Sequence, residues 1–143
     1  MDRVRAADGQ EEENRLRTDA DVRMLSPLVL AYVGDAVFEL YVRTRMVRRH
    51  DLGTNRLNRL TVGQVRAEGQ RDSLSRVEPC LTQEELDVLR RGRNAKTAMA
   101  PKHASRADYS AATALEALVG YLYLCGREER LSQILDMALP KDI

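Results

Sequence analysis

The chain has 143 residues, 43% hydrophobic and 31% charged, a globular balance that leaves room for one domain with a proper core and little for a second. No apolar run approaches the length of a membrane span, and the opening MDRVRAADGQEEENR lacks the apolar stretch of a secretory signal, so the cytoplasm is the expected compartment. The formal net charge of +1 hides an uneven distribution: residues 1–39 carry −4, residues 40–106 carry +8 and residues 107–143 carry −3. Of the 15 cations in the middle segment 13 are arginine, whose planar fork suits phosphate oxygens, although a solvated basic face is the alternative reading.

Residues 1–22 mix acidic and basic side chains without an apolar period and read as a mobile arm, leaving residues 23–143 as the folded domain. Ser26-Pro27 marks a helix start, a hydroxyl cap followed by proline at the first helical position, and the helix should run to about Arg49. Its first half is apolar nearly all round and therefore central; its second half, with Arg43, Arg45, Arg48 and Arg49, must emerge into solvent. After the break at His50–Gly53, Thr54 is placed to cap a second helix reaching about Arg71. Leu57, Leu60 and Val65, with Val62 beside them, form its inward stripe, with Arg56, Arg59 and Arg66 off it. A short helical stretch is expected at Asp72–Arg76, and Thr82-Gln83-Glu84-Glu85 is a capping box opening a helix that Gly92 would end.

Residues 93–106 show neither apolar period, and Pro101 stops any helix there. A second apolar helix runs from about Asp108 to Cys125 with Gly126 as its stop. A last amphipathic helix spans about Glu128–Leu139, with Leu131, Ile134, Leu135 and Ala138 facing in. With no strand signal and no repeat, the fold class is all-α: a single domain of five to seven helices. Cys80 and Cys125 have no metal-ligand spacing between them and read as reduced thiols.

Two carboxylates stand alone in the most apolar segments. Asp35 is the only charge in SPLVLAYVGDAVF, and Glu116 the only one in YSAATALEALVGYLYL. On a helical wheel Asp35 shares a stripe with Leu28, Ala31, Tyr32, Phe38 and Val42, which predicts that it faces inward; Glu116 shares its face with Ala112, Thr113, Val119 and Gly120. A buried unpaired carboxylate costs several kcal/mol on an order-of-magnitude view, so both need compensation. A cation shared between the two helices would supply it. So would an arginine at Asp35, or a break at Gly34 that Asp35 caps, and a tyrosine hydroxyl at Glu116. Gly34 and Gly120 each weaken a helix beside a carboxylate, which calls for a close approach of backbone, metal or ligand.

The words around these residues resemble the two signature segments of the ribonuclease III catalytic domain, F-L-G-D-A-V-L and D-x-x-E-A-L-I-G. They are most similar to its short stand-alone branch, Mini-III ribonuclease. Leu30-Ala31-Tyr32-Val33-Gly34-Asp35-Ala36-Val37-Phe38-Glu39 looks like the first motif and Glu116-Ala117-Leu118-Val119-Gly120-Tyr121-Leu122 like the last. Arg91-Gly92-Arg93-Asn94-Ala95-Lys96 with Pro101-Lys102 looks like the basic loop. The likeness covers about residues 24–140. It departs from the larger enzymes at Ala31 and Thr113, where they carry carboxylates one turn before the motif aspartate and glutamate.

The resemblance implies the ribonuclease III helical fold and an endoribonuclease cutting double-stranded RNA with Mg²⁺, or Mn²⁺ in its place, held by Asp35 and Glu116 as catalytic and metal-binding residues. It implies a homodimer with two sites across a valley, staggered cuts leaving 3′ overhangs, and Arg90, Arg91, Arg93, Asn94, Lys96 and Lys102 as RNA contacts. Large-subunit (23S) ribosomal RNA precursor is the implied substrate, with a ribosomal-protein helper as a further partner and no membrane. Because of Ala31 and Thr113, a non-catalytic RNA-binding or ribosome-associated protein on the same fold is the alternative. Among the remaining polar residues, His50 and His103 read as solvated loop histidines. Tyr32, Tyr109, Tyr121 and Tyr123 read as core or interface tyrosines, and Glu39 as the salt-bridge partner of Arg43.

Overall fold

A computed structural model describes residues 14–95 and 105–143. Among them the elements are α1 (Asp19–Arg23), α2 (Pro27–Arg49), α3 (Thr54–Val65), α4 (Ala67–Val77), a 3₁₀ turn at Glu78–Cys80, α5 (Gln83–Arg93), α6 (Arg106–Leu124) and α7 (Glu128–Ala138), with no strand. The all-α expectation holds.

Local chemistry sets most boundaries. The Ser26 hydroxyl accepts from the Leu28 N–H at 3.2 Å, with Pro27 next in line. Thr82 and Glu85 close the capping box in both directions, at 3.2 and 2.9 Å. Ser105 accepts from the Asp108 N–H at 3.0 Å and so starts α6 at Arg106. Gly126, with φ 72°, ends that helix; the Arg127 N–H returns to the Leu122 carbonyl at 3.0 Å and satisfies one of its last acceptors.

α6 is the central element. From Ala111 to Leu122 every side chain except that of Glu116 is buried, and α2, α4, α5 and α7 pack around it. Leu30, Phe38, Val42 and Met46 of α2, Leu74 and Val77 of α4, Val88 and Leu89 of α5, and Ile134 and Leu135 of α7 complete the core.

Five expectations need correction. Residues 14–22 are not all arm: Thr18 and Asp21 make a reciprocal capping box at the start of α1, and Val22 is buried in the core. The arm's first thirteen residues lie outside the described ones. The helix expected from Thr54 to Arg71 is two helices, broken where Arg66 adopts an extended conformation. At that corner α4 folds back so tightly that a Cβ on Gly69 would strike the Gly63 carbonyl, and Gly53 rather than Thr54 precedes α3 as its N-cap. Leu60 is exposed, and Thr61, its hydroxyl donating to the Leu57 carbonyl at 3.0 Å, takes the buried position. Finally, Gly92 does not end α5, which continues to Arg93. A Cβ there would sit 2.8 Å from the Ala114 Cα, so the glycine permits contact between α5 and α6.

Candidate active site

α2 and α6 cross through main chain. A Cβ on Gly34 would collide with the Glu116 carbonyl and lie 2.8 Å from the Gly120 nitrogen; a Cβ on Gly120 would collide with the Leu30 carbonyl. The two glycines singled out by sequence therefore mark one contact, each accommodating the other's helix. Asp35 follows Gly34 directly, and the Glu116 backbone lies on Gly34, so the contact brings both carboxyl groups to one place.

Their environments differ. Glu116 is half-buried, and its carboxyl is pushed up to about 9, first by burial and then by its hydrogen bond to Asp35 and that group's like charge. Asp35 is exposed, contrary to the inward stripe expected for it. Of its supposed stripe-mates Phe38 and Val42 are buried, but Tyr32 is 82% and Leu28 39% exposed. Among the described residues no cationic side chain accounts for the state of Glu116, and two carboxyl groups in contact are a donor set that a hard divalent cation suits. Neither compensating partner considered from sequence, an arginine for Asp35 or a tyrosine for Glu116, is what the structure supplies to Glu116.

The vacant family positions add nothing to this pair. Ala31 has no donor, and the Thr113 hydroxyl, buried, donates to the Tyr109 carbonyl at 3.0 Å. Among the described residues no group of three or more His, Cys, Asp or Glu side chains is placed to hold a metal. Any ion here would rest on two protein carboxylates and complete its shell with water and substrate.

The basic candidates divide. Arg90 is exposed and only loosely paired to Asp87 at 3.5 Å, Arg93 stands 3.4 Å from Glu78, and Asn94 caps the end of α5 in the open. Lys96 and Lys102, like His103, lie outside the described residues. Arg91 is engaged elsewhere: its guanidinium donates to the Arg23 carbonyl at 2.7 Å and the Leu25 carbonyl at 3.1 Å.

Much of the mid-chain arginine excess is likewise structural. Arg45 donates to the Pro140 carbonyl at 3.2 Å, Arg76 to Ala138 at 2.8 Å, and Arg49 to Lys141 and Ile143 at 3.0 and 2.7 Å; Arg71 pairs with Asp108 at 2.8 Å. Arg56, Arg59 and Arg66 remain exposed. Glu39 does pair with Arg43, at 2.9 Å, whereas His50 is a partly buried α2 cap rather than a solvated loop residue.

Sequence reasoning missed the outer face of α2. Val29, Tyr32, Leu40 and Val47, spaced along one side of the helix with Ala36 between them, are all exposed. The signal was present: α2 is apolar nearly all round, more than one helix face against α6 requires.

Comparison with known proteins places this geometry in a class. The model of the ribonuclease III domain family matches residues 28–127, which include both carboxylates and the glycine crossing. The chain belongs to the ribonuclease III domain family. Within that family it is 51% identical to the Mini-ribonuclease 3 of Symbiobacterium thermophilum over 114 residues, 80% of this chain and 88% of the relative. It is 45% identical to that of Thermoanaerobacter sp. over 128 residues, 90% of each chain. A crystal structure of a protein from Fusobacterium nucleatum superposes with a TM-score of 0.76 at 30% identity, covering 86% of this chain and 98% of the other. The fold is that of the ribonuclease III domain, and the protein is an endoribonuclease of ribonuclease III type.

Proposed function

We propose that the chain cuts double-stranded RNA in a reaction that depends on a divalent metal ion, Mg²⁺ or Mn²⁺ in its place, with Asp35 and Glu116 holding the ion. The observation that carries this reading is the glycine crossing, which brings two carboxyl groups into contact with each other. When bound, such an ion supplies an activated water and positive charge for the phosphoryl oxygens. Asp35, exposed, offers its carboxylate to the solvent side, where a phosphodiester arrives. Glu116, half-buried, anchors the inner side, and its carboxyl must ionise for the ion to be held. Arg90, Arg93 and Asn94, with Lys96 and Lys102 beyond them, hold the phosphates of a duplex recognised by shape rather than by base edges.

The apolar outer face of α2 supports a homodimer. Tyr32, Val29 and Leu40 lie on the helix that carries Asp35, so a second copy seated there would place two sites side by side, one for each strand. Large-subunit (23S) ribosomal RNA precursor is the natural substrate we propose. Its maturation puts the enzyme in the cytoplasm, with a ribosomal-protein helper as the partner that presents it. No helix among the described residues is long and apolar enough to cross a membrane.

The test is incubation of the purified protein with a long RNA duplex in Mg²⁺ or in EDTA, beside Asp35→Asn. Metal-dependent cutting lost in the variant is the expected result. Tight duplex binding with no cutting of either the duplex or a ribosomal precursor would instead favour the non-catalytic reading, for which Ala31 and Thr113 are the motive.

A further inference from the structure

We infer that Arg91 is a positioning residue that fixes the root of the basic loop against the segment leading into the helix bearing Asp35, rather than a phosphate contact. This rests on the endonuclease reading above. Arg91 sits within the cationic run Arg90-Arg91-Gly92-Arg93, where composition alone makes all three arginines equivalent. The structure separates them. Arg90 and Arg93 are exposed, while Arg91 is half-buried and turns its guanidinium back into the molecule.

What it grips is specific. One nitrogen donates to the Arg23 carbonyl at 2.7 Å and the other to the Leu25 carbonyl at 3.1 Å. The first carbonyl belongs to the last residue of α1 and the second to the short link to α2, immediately before the Ser26 cap. The forked guanidinium spans two acceptors two residues apart, which a single ammonium does not reproduce. The adjacent residue makes the matching contact on the other side: Gly92 lies against Ala114, 2.8 Å from any Cβ it might carry, on the helix bearing Glu116. Arg91 and Gly92 therefore join the end of α5 to the segment that leads into the Asp35 helix and to the Glu116 helix at once. Arg90 and Arg93, the proposed phosphate contacts, flank this joint on either side.

Such a joint decides where a held phosphate falls relative to the carboxylate pair. A displacement of about 1 Å between a binding element and the reacting centre can cost on the order of 100-fold in rate without abolishing binding. Loss of the clamp should thus act on turnover, while loss of a phosphate contact acts on affinity and on its salt dependence.

The test compares wild type, Arg91→Ala, Arg91→Lys and Arg93→Ala, the last as the phosphate-contact control. Each is assayed for turnover and KM on an RNA duplex with Mg²⁺, for the slope of binding affinity against salt, and for thermal midpoint. For Arg91→Ala we expect kcat at least about tenfold lower at a temperature where the variant is folded, with a salt slope equal to that of wild type. Arg91→Lys, with its charge kept and the fork lost, should not restore turnover. Should Arg91→Ala fail to fold, Arg91→Lys alone decides. Reduced kcat at an unchanged salt slope supports positioning; wild-type turnover overturns it. A shallower slope with raised KM in Arg91→Ala, matching Arg93→Ala, would make Arg91 a phosphate contact. A lowered thermal midpoint with kcat and KM intact would make it merely structural, and both results overturn the inference. If wild type itself does not cut, it is the endonuclease reading that fails, so the two failures are distinct.

Discussion

Two junctions hold this fold by opposite means. Where α2 meets α6 there are no side chains between Gly34 and Gly120, and main chain rests on main chain. Where α1, α5, α6 and α7 meet, polar side chains do the joining. Arg127 reaches Asp19 at 2.8 Å and Glu84 at 3.1 Å while lying over the Tyr121 ring, 5.5 Å from its centre, and the Tyr121 hydroxyl donates to Glu84. The first junction has no rotamers to adjust and fixes a distance. The second has several partners for each charge and tolerates the loss of one. The carboxylate pair is built on the rigid junction.

The sharpest way to probe the contrast is chemical. Asp35→Asn or Glu116→Gln leaves the glycine crossing untouched and should lower turnover by about 10³-fold, equivalent to about 4 kcal/mol of barrier, with the thermal midpoint little changed. Full turnover in either variant would detach the site from the crossing. Next in size, Gly34→Ala or Gly120→Ala drives a methyl into a backbone carbonyl and should destabilise the fold by about 3 kcal/mol or more, read by denaturant unfolding. A neutral result would mean the helices can separate after all.

At the polar junction the effects should be smaller. Tyr121→Phe removes one hydrogen bond from a buried ring and should cost about 1 kcal/mol, since Arg127 still satisfies Glu84. The same junction has a pH signature. Hydrogen bonds from Arg127 and Tyr121 hold the Glu84 carboxyl below its ordinary value of 4.5. The folded state therefore binds fewer protons than the unfolded one in that range, so the contribution is complete above 4.5 and is lost as pH falls through the lowered value. Glu84→Gln should flatten the acid side of the stability profile, and an unchanged profile would show that the junction contributes nothing there. Smallest of all, Gly53→Ala, at an extended N-cap position with nothing within 4 Å of the added carbon, sets alanine's poorer capping against its lower unfolded-state entropy and should shift stability by less than about 1 kcal/mol. It is the control that separates tight glycines from open ones.

What could be read from sequence follows the same division. Helix starts and stops governed by a few adjacent residues were legible: Ser26-Pro27, the Thr82–Glu85 box and Gly126 all act as their local chemistry dictates. The close approach at Gly34 and Gly120 was legible because a glycine in the middle of a helix needs a reason. The break at Arg66 was not, since the fold-back that needs Gly69 appears only once α4 has turned onto α3. Nor was the exposure of Asp35. A helix apolar on every side does not say which side packs on its own chain, and of the stripe expected to face inward Leu28, Tyr32 and Asp35 lie outward while Phe38 and Val42 are buried. Arg91 could not be told from Arg90 and Arg93 because its partners are backbone carbonyls 66 and 68 residues away, which carry no mark in the sequence.

The bare contact at Gly34 and Gly120 also limits how such a centre can diverge. A spacing maintained by packed side chains can drift through a series of compensated substitutions, each slightly larger or smaller than the last. A spacing set by peptide planes in contact offers no such gradual route. Adding one methyl to either glycine meets a carbonyl oxygen that no neighbouring exchange can trim. Lineages that keep the crossing inherit its dimensions intact, so on the reading proposed above adaptation to different substrates must occur around the carboxylates rather than between them.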